Sequence, residues 1–141
     1  MTFTLDLKKA VENIKGDATN TIRGTMFSLS GMIIKGTPVG NPTLWASKPP
    51  KGYVGGTLRG SWQASIGQPN RAKTKRKDKD GSATISNVAA TITSWDMGET
   101  FYLTNPQPYA YRVEYGWSSQ RPKGMVRVAL MQAQRELDKR T

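Results

Sequence analysis

An α+β fold is what the sequence predicts: a long N-terminal helix, a small mainly antiparallel sheet, a C-terminal helix and long protruding loops. Three observations lead there. Apolar residues from Leu5 to Ile34 recur at three-and-four spacing. The residues after Pro122 return to that period in strong helix formers. Between them lie short alternating or aromatic runs, separated by clusters of proline, glycine and charge. With 141 residues and 36% hydrophobic content, the chain suits one domain, 1–141, with a modest core.

The first helix carries its apolar face on Leu7, Ala10, Val11, Ile14, Ala18, Ile22, Met26, Leu29, Met32 and Ile33. Asp6 falls in its first turn, where a negative charge favours the positive end of the helix dipole, and Gly36, Thr37 and Pro38 end the pattern. Gly16, Gly24 and Gly31 each cost about 0.5 to 1 kcal/mol relative to alanine, so this helix needs packing partners and has three places where it can bend.

Residues 37–57 hold Pro38, Pro42, Pro49 and Pro50 with Gly40, Gly52, Gly55 and Gly56, which predicts an extended arm without regular structure. Trp45 and Tyr53 within it are candidates for contact with a partner, the alternative being an arm folded back onto its own core. From Thr57 to Gly67, Leu58, Gly60, Trp62, Ala64 and Ile66 alternate with Arg59, Ser61, Gln63 and Ser65, the pattern of a half-buried strand. A basic loop, 68–82, follows, in which Arg71, Lys73, Lys75, Arg76, Lys77 and Lys79 are offset only by Asp78 and Asp80. It reads as solvated and mobile, with contact to DNA or to an acidic partner as its functional option.

Ser82 to Trp95 fits a helix through Val88, Ala89, Ile92 and Trp95, although its β-branched residues also suit a strand; the helix is preferred. Thr100 to Asn105 is a short aromatic strand that stops at Pro106. Met125, Val128, Ala129 and Leu137 then mark the terminal helix.

A formal charge of +11 and the absence of cysteine and histidine bound the function. The charge leaves a polyanionic partner, an acidic protein surface or a crowded ionic environment as options, and by itself does not choose among them. Disulfides, thiolate metal sites and cysteine or histidine catalysis are excluded, leaving carboxylate, lysine or tyrosine chemistry. Asp96 and Glu99, three apart, and Glu114 are the acids considered, but Arg112 and Glu114 would share a strand face and fit a salt bridge better than an acid-base pair. No catalytic, cofactor-binding or metal-binding residue is assigned and an enzyme is not expected. The opening MTFTLDLKKAVENIK does not read as a secretory signal and no apolar run nears the ~18 residues of a membrane span, so the chain is expected to be soluble, made in the cytoplasm and without a membrane partner.

The segment NPQPYAYRVEYGWSSQRPKGMVRV, 105–128, concentrates Tyr109, Tyr111, Tyr115 and Trp117 around Arg112 and Glu114. Such aromatics offer flat amphipathic surface at low entropic cost, and either a protein interface or an aromatic core strand accounts for them.

Two segments resemble the tail-component proteins of tailed phages, small α+β subunits described as head-tail joining, tail completion or tail terminator proteins. TPVGNPTLWASKPPKGYVGGTLRGSW is similar to an expanded form of that family's TPVDTGRLRxSW signature, matching at Thr37, Pro38 and Val39 and again at Gly56, Thr57, Leu58, Arg59, Ser61 and Trp62. It departs by inserting the proline-rich arm after Gly40. The 105–128 segment resembles the second signature almost without gaps, from Asn105, Pro106, Pro108, Tyr109 and Ala110 through Arg112, Glu114, Tyr115, Gly116, Trp117 and Ser118 to Pro122, Gly124, Met125, Val126 and Arg127.

The resemblance implies a structural virion protein with no catalytic residue. It would form a homo-oligomeric ring of six or twelve copies in the neck, contact other neck and tail proteins, and let DNA pass from head to tail. A terminator ring on the tail tube is the alternative, and a basic nucleic-acid-binding module a further one. Leu58, Arg59, Trp62, Tyr109, Tyr111, Arg112, Glu114, Tyr115, Trp117, Met125 and Arg127 are the expected interface or fold residues.

Overall fold

The computed structural model describes residues 2–40, 51, 55–116, 118 and 120–140. The chain runs α1 (Thr2–Gly36), α2 (Thr57–Gly60), β1 (Gln63–Ile66), α3 (Ser82–Ser94), β2 (Phe101–Thr104), α4 (Ala110–Glu114) and α5 (Val126–Arg140). The mixed architecture with long first and last helices and a small antiparallel sheet is as the sequence predicts. Among the described residues no helix is long and apolar enough to cross a membrane.

α1 is one helix of 35 residues, about 52 Å long at 1.5 Å per residue. It continues unbroken through Gly16, Gly24 and Gly31, where an added Cβ would meet nothing within 4 Å, so no close approach demands glycine there. The helix begins at Thr2, three residues before the expected start, which leaves Asp6 beyond its first turn. Its end is built by Thr37, whose amide bonds the Ile34 carbonyl at 3.2 Å and whose hydroxyl donates to the Ile33 carbonyl at 2.7 Å. These bonds satisfy carbonyls a helix terminus leaves open, and Pro38 cannot extend the ladder.

The second half of α1 packs into the body. Among its described side chains Lys9 to Asp17 are exposed, and the first buried one is Thr19. The core joins Ile33 and Ile34 of α1, Leu58 of α2, Trp62, Val88 and Ile92 of α3, and Met125 and Ala129 at the start of α5. α3 packs on α1 and on β1, and α5 packs on α1. The two strands pair antiparallel, with Gln63 opposite Thr104, Ala64 opposite Leu103, Ser65 opposite Tyr102 and Ile66 opposite Phe101. Two strands are marginal alone, and the packing of β1 on α3 supplies the cover they need.

Two expected strands are corrected. Residues 57–60 form the single turn α2, closed by the Gly60 amide on the Gly56 carbonyl at 2.8 Å, and β1 begins only at Gln63. Leu58 and Trp62 stand four apart, so their burial satisfies a helical turn as well as an alternation. The segment at 110–114 is also helical, with the Val113 amide on the Tyr109 carbonyl at 3.0 Å, and it carries no buried residue. Tyr111 and Tyr115, four apart, tilt against each other with ring centroids 4.5 Å apart, which favours that turn.

The glycines of α1 and α2 predict opposite responses. Gly31→Ala is expected to raise the unfolding free energy by about 0.5 to 1 kcal/mol, because a Cβ fits and the unfolded chain loses freedom. In Gly60→Ala the new Cβ collides with the Arg76 backbone carbonyl, and the protein should lose more than that amount in the same denaturant titration.

Candidate functional site

The two sequence motifs meet in space. Thr37 is fully buried at the end of α1, and its hydroxyl accepts a 2.7 Å hydrogen bond from the Trp62 indole while donating to Ile33. Arg59 reaches back from α2 and brackets the same turn, donating through Nε and Nη2 to the Thr37 carbonyl at 3.0 and 2.7 Å and through Nη2 to the Lys35 carbonyl at 3.0 Å. Its Nη1 bonds the Lys79 carbonyl, tying in the segment before α3. Burial lowers the Arg59 guanidinium from its ordinary value while Asp78 pulls it back up.

The second motif is sewn onto the first through side-chain amides. Asn105 donates to the Leu58 carbonyl at 2.9 Å, and Gln107 donates to the Ser61 hydroxyl at 2.9 Å; that hydroxyl in turn donates to the Thr57 carbonyl at 2.6 Å. A cleft of about 550 Å³ lies along the seam, lined by Pro38, Leu58, Gln107, Tyr109, Val113 and Gln120 among others. Leu58, Arg59, Trp62 and Met125 are thus fold residues.

Glu114 is a helix cap. At the end of α4 it turns its carboxylate toward the start of α5, where Oε2 accepts the amides of Met125 and Val126 at 2.7 and 2.8 Å and Oε1 accepts the Arg127 amide at 3.1 Å. These are amides a helix start leaves without intrahelical partners. Arg127 closes the arrangement with a 3.1 Å ion pair to Oε1, a bond to the Glu114 carbonyl and a guanidinium 5.0 Å over the Tyr115 ring. Gly124 permits the approach, since at φ 93° it is left-handed and a Cβ would sit 2.5 Å from the Glu114 carbonyl oxygen. The expected strand-face pairing of Arg112 with Glu114 is corrected: two apart on a helical turn they do not face each other, and Glu114 is engaged by Arg127.

Burial pushes the Glu114 carboxyl up, but the amides of Val126, Arg127 and Met125 and the Arg127 side chain outweigh it and hold the group below the usual carboxylate range. A carboxylate saturated in this way is a poor proton acceptor at neutral pH. Asp96 and Glu99 are likewise turned on their own loop, the Glu99 carboxylate accepting the Asp96 amide at 2.9 Å. Among the described residues no group of three or more acids could hold a metal ion.

The tyrosines take the outside. Tyr109, Tyr111 and Tyr115 are 41%, 71% and 56% exposed, which removes the aromatic core strand as an account of them. Arg112 is exposed on the same short helix. Trp117, Trp45 and Tyr53 lie outside the described residues, as does most of the arm; its described ends are held in, with Thr37, Gly55 and Gly56 buried.

The basic loop is not uniformly solvated. Arg76 turns inward and donates to the Gly60 and Trp62 carbonyls at 3.0 and 3.2 Å. Asp78 is buried and caps α3, accepting the Gly81 amide on Oδ1 at 3.0 Å and the Thr84 amide and hydroxyl on Oδ2 at 2.8 and 2.7 Å. Burial raises this carboxyl, but the Thr84 and Gly81 hydrogen bonds prevail and hold it low. Asp80 accepts the Ser82 amide at 2.8 Å, and Ser82 already belongs to α3. Arg71, Lys73, Lys75, Lys77 and Lys79 remain exposed.

Sequence reasoning passed over Asp78, Asn105 and Gln107 as structural donors and acceptors. Asp78 had a signal: an aspartate three residues before a glycine that opens a helical run has the form of a turn feeding a cap. Asn105 and Gln107 had none, because their partners are more than 40 residues away.

No family model, curated protein or solved structure matches the chain. The likeness to phage tail-component proteins therefore rests on the two motifs themselves.

Trp62→Phe removes the indole donor, leaving the Thr37 hydroxyl its bond to Ile33 alone, and shrinks the core side chain, and is expected to cost about 1 to 3 kcal/mol in chemical denaturation. Glu114 is bound more tightly when ionised, so its contribution is complete above the unfolded carboxyl value of about 4.3 and fades as pH falls through the lower folded value. The gap in melting temperature between the native chain and Glu114→Gln should therefore be widest near neutrality and shrink below about pH 4.

Proposed function

We propose that the chain is a structural, non-enzymatic subunit of the tailed-phage neck, forming a homo-oligomeric ring of six or twelve copies that joins the DNA-filled head to the tail and lets DNA pass. What carries the reading is the division of labour within the second motif. Its polar residues fix α4 against α2 and α5, while its tyrosines are held outward on that rigid support. Rigid aromatic side chains facing solvent are the material of protein interfaces.

A closed ring of identical subunits needs two different patches per protomer. The second is supplied by the projecting half of α1, where Val11 and Ile14, one turn apart, are 44% and 67% exposed. The loop after α4 touches the other end of that helix, Gln120 donating to the Val39 carbonyl at 3.2 Å. At 1.5 Å per residue the two patches stand roughly 35 to 40 Å apart along α1, a separation that favours head-to-tail contact.

Head-tail joining is preferred to a terminator role, because the proline-rich arm of residues 37–57 suits docking between unlike rings. Localisation follows as the virion neck.

Cryo-electron microscopy of virions carrying this chain is expected to place it as a symmetric ring between portal and tail tube. Ile14→Asp should melt as the native chain does, within about 0.5 kcal/mol, while the double variant Tyr111→Ala, Tyr115→Ala, which also loses the ring pair and the Arg127 contact, should stay folded at a cost of about 1 to 2 kcal/mol; both should fail to incorporate. Density for the chain elsewhere in the particle, or normal incorporation of both variants, would reject the reading.

A further inference from the structure

The basic loop carries a second surface that the ring reading does not require. From Lys73 to Lys79 exposure alternates at every residue: Lys73, Lys75, Lys77 and Lys79 face solvent, while Thr74 and Arg76 are half-buried and Asp78 is buried. The inward residues pin the segment to the body, Arg76 on the carbonyls of Gly60 and Trp62 and Asp78 on the start of α3. The outward ones, with Arg71 before them, form a row of five cations whose backbone is fixed.

The nearer counter-charge is turned away from them. Asp78 is out of solvent and occupied by amides of the α3 start, whereas Asp80 accepts the Ser82 amide and stays exposed at the end of the row. Among the described residues none of the five cations has a carboxylate within ion-pair distance.

We propose that Arg71, Lys73, Lys75, Lys77 and Lys79 form a binding surface for the phosphate backbone of duplex nucleic acid, gripped without regard to sequence. The composition of the row selects this partner over an acidic protein. Protein interfaces bury aromatic and apolar residues and are depleted in lysine, whereas the only apolar side chain exposed along this row is Ala72. A single strand is disfavoured for the same reason, since no aromatic in the row offers a base a face to stack on. An extended chain advances about 3.3 Å per residue, which would set alternate side chains about 6.6 Å apart, close to two base-pair rises of about 3.4 Å along the duplex axis.

The test compares two variants of the full chain that carry the same net charge. In one, Arg71, Lys73, Lys75, Lys77 and Lys79 are replaced by glutamine and Arg76 is kept; in the other, the exposed Lys9, Lys15, Lys35, Lys123 and Lys139 are replaced instead. Removing five charges from +11 leaves +6 in both. Affinity for a fluorescent duplex of random sequence is followed by anisotropy against sodium chloride concentration.

Each phosphate neutralised contributes about 0.9 to the slope of log affinity on log salt, so the loop variant is expected to lose about 4.5 from that slope and the control far less. Unchanged melting of the loop variant shows that the fold is intact. Equal losses in the two variants would reduce the effect to net charge and overturn the proposal. So would tighter binding of poly-L-glutamate than of the duplex at equal charge concentration, which would give the row to an acidic protein. The measurement uses the purified chain, so it fails or succeeds independently of ring formation in the virion.

Discussion

The fully buried hydroxyl of Thr37 is the constraint on which the rest of this structure depends. It ends the 35-residue α1 by bonding Ile33, and it receives the Trp62 indole, the largest side chain of the core. Its carbonyl is bracketed by Arg59. One residue thereby sets where α1 stops, how α2 and β1 leave the arm, and which way the core tryptophan faces. Neither lone interaction would suffice, because a buried polar group left unpaired costs as much as a good hydrogen bond contributes. Here both capacities of the hydroxyl are used.

The acids of the two motifs share a fate that shapes the functional reading. Glu114 and Asp78 each lie at the start of a helix, α5 and α3, and each is occupied by the amides that the helix leaves open. Each is held ionised by those bonds against the cost of burial. Carboxylates so engaged organise backbone and do not exchange protons near neutral pH. The cations divide differently: Arg23, Arg59 and Arg76 turn guanidinium groups onto backbone carbonyls, Arg23 on that of Trp95 at 3.0 Å, while most lysines face solvent. The planar fork of arginine suits several carbonyls at once, and lysine keeps its hydration. The positive surface is a consequence of that division.

A protein with a small core, a helix that outruns it and tyrosines held outward has more interface than interior. Lys9 to Asp17 of α1 are exposed. Isolated helices of this kind are marginal in water, so contact with another surface is the natural source of their stability. The proposed ring would meet that need with copies of the chain, and the row of cations on a pinned loop would give the same subunit a surface for the polyanion such a ring encloses.

Periodicity and punctuation in the sequence determined α1, α5 and β2, because a 3.6-residue repeat and a proline stop act on nearest neighbours, while α3 stood open between helix and strand with the helix preferred. It determined the end of α1 at Gly36 through the glycine, threonine and proline that follow. It singled out both motifs by composition, but not what they do. Leu58 and Trp62 fit an alternation and a helical turn equally well, and only the Gly60 approach to Arg76 and the Arg59 bracket on Thr37 chose the turn. Arg112 stood beside Glu114 in the chain, whereas the partner that counts, Arg127, arrives through a loop of two left-handed glycines, Gly116 and Gly124. The alternation of Lys73 to Lys79 was in view from the start, yet its outward and inward sides acquired meaning only when Arg76 and Asp78 found acceptors and donors 14 to 16 and three to six residues away. Local spacing fixes backbone conformation; the tertiary structure alone decides which polar groups are consumed inside and which are left for a partner.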